Sequence, residues 1–381
     1  MNPLELHEKL TGKLEIKSAI KIDSKETLSK VYTPGVGEVC LKIKEDEENL
    51  WKYTIAGKTV AVISNGTAVL GFGDIGPKAA LPVMEGKSAI FNEFAGIPSY
   101  PICIDEKDPE KFIEVVKRIA LNFAAINLED IAAPSCFEIE KRLSEELDMP
   151  VIHDDQHGTA IVVLAALLGS IDLTKKRDLK IVISGAGAAG TAITKLLLAA
   201  KKQNLLTFSE IKVFDSLGLI SQDRDNLTPH KQELSKLTNQ INFEKFSEGI
   251  KNTDVFIGVS APNSLSSENI RNMNPKPIVF ALSNPVPEIM PNLAKEAGAE
   301  VVATGRSDFP NQINNALAYP GVFKGLLKNK IKKVSNEHKI AAALAIYNYH
   351  KDKLTKENLL PSILDKQIPE IIANNFKQNS N

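Results

Sequence analysis

The sequence predicts an α/β chain built as two units with helices at the C-terminal end, and three observations lead there. Short apolar runs rich in β-branched residues recur along the chain: VAVIS at 60–64, KIVIS at 180–184, DVFIGVS at 254–260 and IVFALS at 278–283. Polar or helix-periodic segments separate them, and strands buried on both faces belong to parallel sheets with helical crossovers. The length, 381 residues, exceeds one ordinary core and fits two to three domains.

Taken in order, residues 1–30 (MNPLELHEKLTGKLEIK onward) alternate apolar and charged side chains, an amphipathic pattern able to pack on a partner. They lack the basic start and apolar stretch of a secretory leader. Strands are expected at 60–64 and 100–104 and helices at 109–122 and 136–147, together one α/β unit. Val151 and Ile152 imply a strand leading into HDDQHGTA (153–160), and the apolar stretch 159–168 predicts a helix opening the second unit. Beyond the polar segment 171–180 come a strand at 180–185, a helix at 188–202, and strands at 211–215, 254–260, 278–283 and 300–304. From Tyr319 the pattern is helical, its basic run KNKIKK (328–333) reads as a solvated face, and 377–381 reads as a polar tail. The resulting domains are 1–157, 158–325 and 326–381.

Lysine plus arginine number 46 against 47 aspartates and glutamates, so no electrostatic footprint for nucleic acid or an anionic membrane exists, and small molecules remain as partners. Cys40, Cys103 and Cys136 are odd in number and form no CxxC pair, which suits reduced thiols in a cytoplasmic protein. The longest apolar run, 161–168, is too short to span a bilayer.

Gly185-Ala186-Gly187-Ala188-Ala189-Gly190 fits GxGxxG directly after a strand and before a helix, the fingerprint of a Rossmann-type dinucleotide site. The first glycine permits the turn, the second lets backbone approach a pyrophosphate, and the third lets helix and strand pack closely. Asp215 ends the next strand, where a carboxylate can accept hydrogen bonds from a ribose 2′-hydroxyl; the plainer alternative is a solvated strand end. Ser216, Leu217 and Gly218 follow and none is basic, which favours NAD over NADP.

Three more clusters lie upstream: YTPGVG at 32–37, GFGDIG at 71–76 running on to MEGK at 84–87, and Glu129-Asp130. Glu129, Asp130 and Asp155 can offer the hard oxygen ligands that Mg²⁺ or Mn²⁺ prefers, although adjacent acidic pairs are also common on surfaces. A zincin-like reading of His153 and His157 fails, because that motif puts a glutamate at the second position of an established helix. Here Asp154 holds the position, and the helix is expected to begin only near Gly158. The two imidazoles are therefore expected to shape and cap the turn.

Together these motifs resemble the malic enzyme family in its short bacterial and archaeal form: VYTPGVG (31–37), LGFGDIGP through LPVMEGKSAIF (70–91), LEDIAAPSCFEIE (128–140), HDDQHGTA (153–160), GAGAAG (185–190), ALSNPVPEI (281–289) and INNALAYPGV (313–322). The resemblance implies an N-terminal substrate and metal domain, then the dinucleotide domain and C-terminal helices. It implies oxidation of (S)-malate with NAD, NADP being possible, to pyruvate and CO₂ with Mg²⁺ or Mn²⁺. By the same resemblance Lys87 takes the C2 hydroxyl proton as a neutral amine with a lowered pKa, and Asp154 orients it. Glu129, Asp130 and Asp155 hold the metal, and Tyr32 protonates C3. Asn284 and Asn315, with Asn314 beside it, match the family's asparagines near the substrate carboxylate and the nicotinamide ribose. A homodimer is implied, Tyr32 completing the neighbour's site.

Two departures stand out. The family's long relatives place a malate-binding Arg where this chain reads GTAVL (66–70), and the chain ends at 381, where some bacterial members continue into a phosphotransacetylase-like extension. The alternatives are preference for NADP, dominant decarboxylation of oxaloacetate, an amino-acid dehydrogenase that needs no metal, and a non-catalytic nucleotide sensor.

Overall fold

The computed structural model describes residues 1–238 and 245–376, so the expected polar tail at 377–381 lies outside the described residues. Four helices, α1 (Pro3–Leu10), α2 (Lys25–Val31), α3 (Val36–Glu45) and α4 (Asn49–Tyr53), precede the first strand, β1 (Val60–Ser64). Then follow α5 (Pro77–Ile90), β2 (Ser99–Cys103), α6 (Pro109–Ile119), β3 (Ala125–Leu128), α7 (Ser135–Glu146), β4 (Val151–His153) and α8 (Asp154–Thr174). The second half runs β5 (Leu179–Ser184), α9 (Ala188–Lys202), β6 (Phe208–Asp215), β7 (Gly218–Leu219), α10 (Pro229–Leu237), α11 (Phe246–Gly249), β8 (Val255–Gly258), α12 (Ser267–Arg271) and β9 (Ile278–Ala281). It closes with α13 (Pro291–Glu296), β10 (Val301–Thr304), α14 (Tyr319–Lys328), α15 (Asn336–His350) and α16 (Ile368–Asn374).

Two sheets result, one of four strands in the order β2-β1-β3-β4 and one of six in the order β10-β9-β8-β5-β6-β7. The first is parallel throughout, and among the described residues β7 supplies the one antiparallel edge of the second. Each sheet is apolar on both faces. One core joins Val60 and Val62 of β1, the body of α8, Ile181 and Ile183 of β5, and Tyr319 and Phe323 of α14. A second core covers the far face of the first sheet under α6 and α7, and a third covers the far face of the second sheet.

The structure departs from the sequence expectation at four places. Strand β3 carried no clear pattern because Asn127 interrupts its apolar run, yet Asn127 is fully buried and its Nδ2 donates to Glu129 Oε2 at 3.0 Å. Helix α8 starts at Asp154, not near Gly158, and runs to Thr174 through the segment expected to be a polar linker. Its first two residues are aspartates, which favour a helix N-terminus. The N-cap His153 makes no side-chain capping bond, so the expected capping role does not hold. The basic run at 328–333 is not merely a solvated face. Ile331 is buried, Lys332 pairs with Asp148, and Lys333 donates to Ser144 O and to Leu147 O, the latter at 2.8 Å. Carbonyls ending a helix attract cations, so this run ties the C-terminal helices to α7.

At 21 residues α8 is long and apolar enough to cross a membrane by length and composition, but 72% of its most apolar window is buried inside the protein. It is a core helix shared by both halves. By contrast α1, α2, α3 and α4 bury no side chain, and Leu4, Leu10, Ile16 and Ile20 stand exposed.

Candidate active site

The register of the first sheet assembles the acidic cluster. Leu128 at the end of β3 pairs with His153 at the end of β4, so Glu129-Asp130 and Asp154-Asp155 leave the sheet side by side. Such carboxyl ends are where open α/β sheets place ligands. Lys87, in the last turn of α5, reaches in from above: its Nζ lies 2.6 Å from Asp154 Oδ2 and 2.8 Å from Glu129 Oε1. The Tyr319 ring lies under that ammonium at 4.3 Å, and its hydroxyl donates to the Lys87 carbonyl at 3.2 Å. Gly158 makes the arrangement possible, since a Cβ there would stand 1.9 Å from Asp154 Oδ1.

Glu129, Asp130 and Asp155 bring ligand oxygens within 4.8 Å of one another. The site holds four buried or half-buried carboxylates against one lysine. Burial pushes Glu129 well up despite Lys87, and burial together with the Asp155 charge pushes Asp130 up to about 7. Burial would raise Asp155 too, yet its contact with the His153 ring holds it below the ordinary range. Asp130 Oδ2 and Asp154 Oδ1 are buried without a hydrogen-bond partner. Buried acceptors of this kind are rare unless a ligand meets them, and converging hard oxygens suit a divalent cation, so the residues fit Mg²⁺ or Mn²⁺. Lys87 differs from the expectation of a lowered pKa. Burial favours its neutral amine, but the Asp154 and Glu129 charges hold it well above the usual lysine range.

HDDQH therefore splits into separate roles. Asp154 goes to Lys87, while Asp155 Oδ2 accepts the Asp130 N–H at 2.8 Å and lies 3.1 Å from His153 Nε2. Gln156 and His157 turn away to Glu140, whose carboxylate also accepts the His153 N–H at 2.8 Å.

In the second sheet the glycine turn joins β5 to α9. Gly190 has no room for a side chain, since its Cβ would sit 1.8 Å from Gly185 O, whereas Gly187 faces open space. A groove of about 780 Å³ runs from Gly185, Ala186 and Gly187 to Asp215 at the end of β6. Through Ala133, Gly187 and Ser260 it continues into a cavity of about 760 Å³. That cavity holds Lys87, Glu129, Asp130, Asp155, Ala188, Ala189, Asn284, Asn314 and Asn315. Asn314 Oδ1 is already engaged by the Ala316 N–H at 2.9 Å, leaving Asn284 and Asn315 the freer amides.

The sequence argument from the absence of a base near Asp215 does not survive in three dimensions. The β6–β7 hairpin and α10 bring Arg224 to both Asp215 oxygens, at 2.9 and 3.1 Å, and Lys231 to one at 2.7 Å. Burial would raise Asp215, but these cations hold it below the usual carboxylate range. Positive charge therefore flanks Asp215 at that end of the groove, Lys231 lining it and Arg224 standing behind.

Tyr32 is not brought to this cavity: it stands at the end of α2, 66% exposed. Among the described residues Lys87 is the one cationic side chain in the cavity lining, and no arginine there takes the place of the missing one. Sequence reasoning overlooked Tyr319, although it lies inside the INNALAYPGV motif, and it overlooked Glu140 and Glu288. Buried Glu288 accepts the N–H groups of Ser260 and Ser283 at 2.9 and 3.0 Å, bracing the loops after β8 and β9. A glutamate inside ALSNPVPEI was the available clue.

The comparisons agree with this geometry. Residues 11–144 match the malic enzyme N-terminal domain and residues 156–375 the malic enzyme NAD-binding domain. A NAD-dependent malic enzyme of Geobacillus stearothermophilus is 51% identical over 363 residues, 94% of this chain and 74% of that one. An NADP-dependent malic enzyme of Halomonas elongata is 40% identical over 98% of this chain and 92% of its own. The crystal structure of an NAD-dependent malic enzyme from Thermotoga maritima superposes with a TM-score of 0.93 at 42% identity, covering 98% of each chain. With both family domains matched in order, and the carboxylate cluster and glycine turn opening into one continuous cavity, the chain belongs to the malic enzyme family.

Proposed function

We propose that this protein oxidises (S)-malate with NAD or NADP and decarboxylates it to pyruvate and CO₂, acting in the cytoplasm. The observation that carries this reading is the buried Lys87–Asp154–Glu129 cluster beside three converging metal-type oxygens, in a cavity continuous with the dinucleotide groove. Glu129, Asp130 and Asp155 would hold the divalent cation. When bound, the cation polarises the C2 oxygen and stabilises negative charge on it, and the nicotinamide accepts the hydride.

Lys87 Nζ takes the C2 hydroxyl proton. Its pKa must fall for this, and neutralising the Glu129 and Asp155 charges is the change that lowers it. Asp154 fixes the amine's position through the 2.6 Å contact. The Tyr319 ring shields the amine from water on one side. Asn284 and Asn315 bind carboxylate or ribose oxygens as neutral donors, and the N-terminus of α9 adds favourable dipole for the pyrophosphate. Arg224 and Lys231 offset a 2′-phosphate, and Asp215 accepts from a 2′-hydroxyl.

Tyr32 protonates C3 from a second copy of the chain. Support comes from its exposure and its place outside the lining of its own cavity, and from the unburied, apolar-studded arm of α1–α4 that carries it. Mixing inactive Tyr32→Phe and Lys87→Ala proteins tests the homodimer: regained activity requires a shared site. Initial rates with malate across NAD, NADP, Mg²⁺ and Mn²⁺ test the reaction itself. Absence of both reduced cofactor and pyruvate in every combination overturns it.

A further inference from the structure

The histidines of HDDQH and the basic run after α14 lead to a second cavity, of about 770 Å³, that shares no lining residue with the substrate cavity. It lies between α7, α9, α10 and the start of α15, and it takes Gln156 and His157 from α8 where the substrate cavity takes Asp155 and Thr159. The Phe137 and His230 rings, 4.5 Å apart, contribute to its wall. Five lysines face it against three glutamates.

Among the described residues, three of those lysines, Lys141, Lys333 and Lys339, make no ion pair with a carboxylate. Glu233 is taken by Lys195 at 2.6 Å, and Glu145 is exposed on the rim. Glu140 is surrounded by donors: the His153 N–H, Gln156 and His157. Lys332 pairs with Asp148 outside the cavity, and Lys333 rests on backbone carbonyls at the end of α7, with no carboxylate within 4.0 Å among the described residues. Lys339 is the decisive residue. Half-buried in α15, it has no carboxylate within 4.0 Å among the described residues, and it contacts His157 Nε2 at 3.5 Å. That same nitrogen lies 3.0 Å from Glu140 Oε2, so one imidazole nitrogen stands between the ammonium and the carboxylate and Lys339 makes no direct ion pair. Burial pushes the Lys339 ammonium below the usual lysine range, with Lys195 adding to the effect and the Glu140 charge only partly opposing it.

We propose that this cavity is an effector site for a small, multiply charged anion, either a phosphate ester or a polycarboxylate. Lys339 binds the anion directly, while Lys141 on the rim and Lys333 supply further positive charge. Binding is coupled to catalysis through Glu140. That carboxylate holds the His153 N–H, Gln156 and His157, the underside of the same turn that aims Asp154 and Asp155 into the substrate cavity. An anion that draws Lys339 and His157 toward itself redistributes those hydrogen bonds.

Calorimetric titration of the full-length protein tests the site, in metal-free buffer of constant ionic strength with NAD saturating so that the glycine turn is occupied. Pyrophosphate and citrate are the two probes, and the tighter one identifies the ligand class. Saturable 1:1 binding of at least one is expected, weakened tenfold or more by Lys339→Gln, restored by Lys339→Arg and weakened about threefold by Lys141→Glu. Lys141→Glu alters an exposed residue and serves if Lys339→Gln fails to fold. Failure of both probes to bind, or equal binding by wild type and the folded variants, overturns the site. At fixed free Mn²⁺, the bound probe should shift the KM for malate in wild type and not in Lys339→Gln. An unchanged KM in wild type overturns the coupling.

Discussion

The carboxyl ends of the two sheets solve opposite problems. At the first sheet, Glu129, Asp130, Asp154 and Asp155 crowd one lysine, Asp130 adopts a left-handed backbone with φ of 52°, and acceptors are buried unmet. At the second sheet the turn is made of glycine and alanine. Its special backbone, φ of 112°, falls on Gly185, where it costs nothing. Every buried side-chain atom without a partner among the described residues belongs to Asn127, Asp130, His153 or Asp154. Among the described residues, unmet buried polar atoms, and the electrostatic tension they carry, thus gather at the carboxyl end of the first sheet, while the glycine turn of the second has none. Sites of reaction tolerate such tension when a ligand relieves it.

The comparison breaks most visibly at Lys87. Lys87→Ala is expected to lower malate turnover by roughly 10³-fold, within the range for loss of a general base, with NAD affinity unchanged by calorimetry. A variant keeping a tenth of wild-type turnover would remove Lys87 from the chemistry. Asp130→Asn should weaken Mn²⁺ binding by about 10²-fold, yet raise the melting temperature of the metal-free protein by a few degrees, because one of the crowded buried charges is gone. A lower melting temperature would mean that the cluster is not under tension.

Gly190→Ala sharpens the other side. Its Cβ meets Gly185 O at 1.8 Å, so stability should fall by about 1–3 kcal/mol and the KM for NAD should rise, leaving Mn²⁺ affinity unchanged. Coupled loss of metal binding would show that the two ends are not separable. The smallest effect is expected from Arg224→Ala combined with Lys231→Ala. Freeing Asp215 should lower the ratio of kcat/KM for NADP to that for NAD by about tenfold, and an unchanged ratio would remove these cations from cofactor choice.

Much of this was legible locally. The strand at 60–64 and the helix at 188–202 are found where apolar periodicity puts them, because nothing polar interrupts either pattern. Strand β3 was hidden by Asn127, whose burial makes sense only once Glu129 is beside it. The start of α8 was hidden by Gly158, which looks like a turn residue and is instead the gap that admits the Asp154 carboxylate. Of the site, the residues were readable from motifs, but their electrostatics were not. The raised Lys87, the cations on Asp215 and the Glu140 network all depend on contacts between segments far apart in the chain.

Helix α8 has a consequence for how such a protein can be rearranged. Its first turn carries Asp154 and Asp155 at the end of one sheet, while its buried body packs against α9 of the other half and against α15. No exposed hinge separates the halves at that point, so a cut or graft near residues 154–174 would expose the apolar run 160–168 and unaim Asp154 in one stroke. Circular permutants and domain chimeras of this chain should succeed only with breakpoints elsewhere, and backbone amides in the middle of α8 should exchange with solvent only on global unfolding.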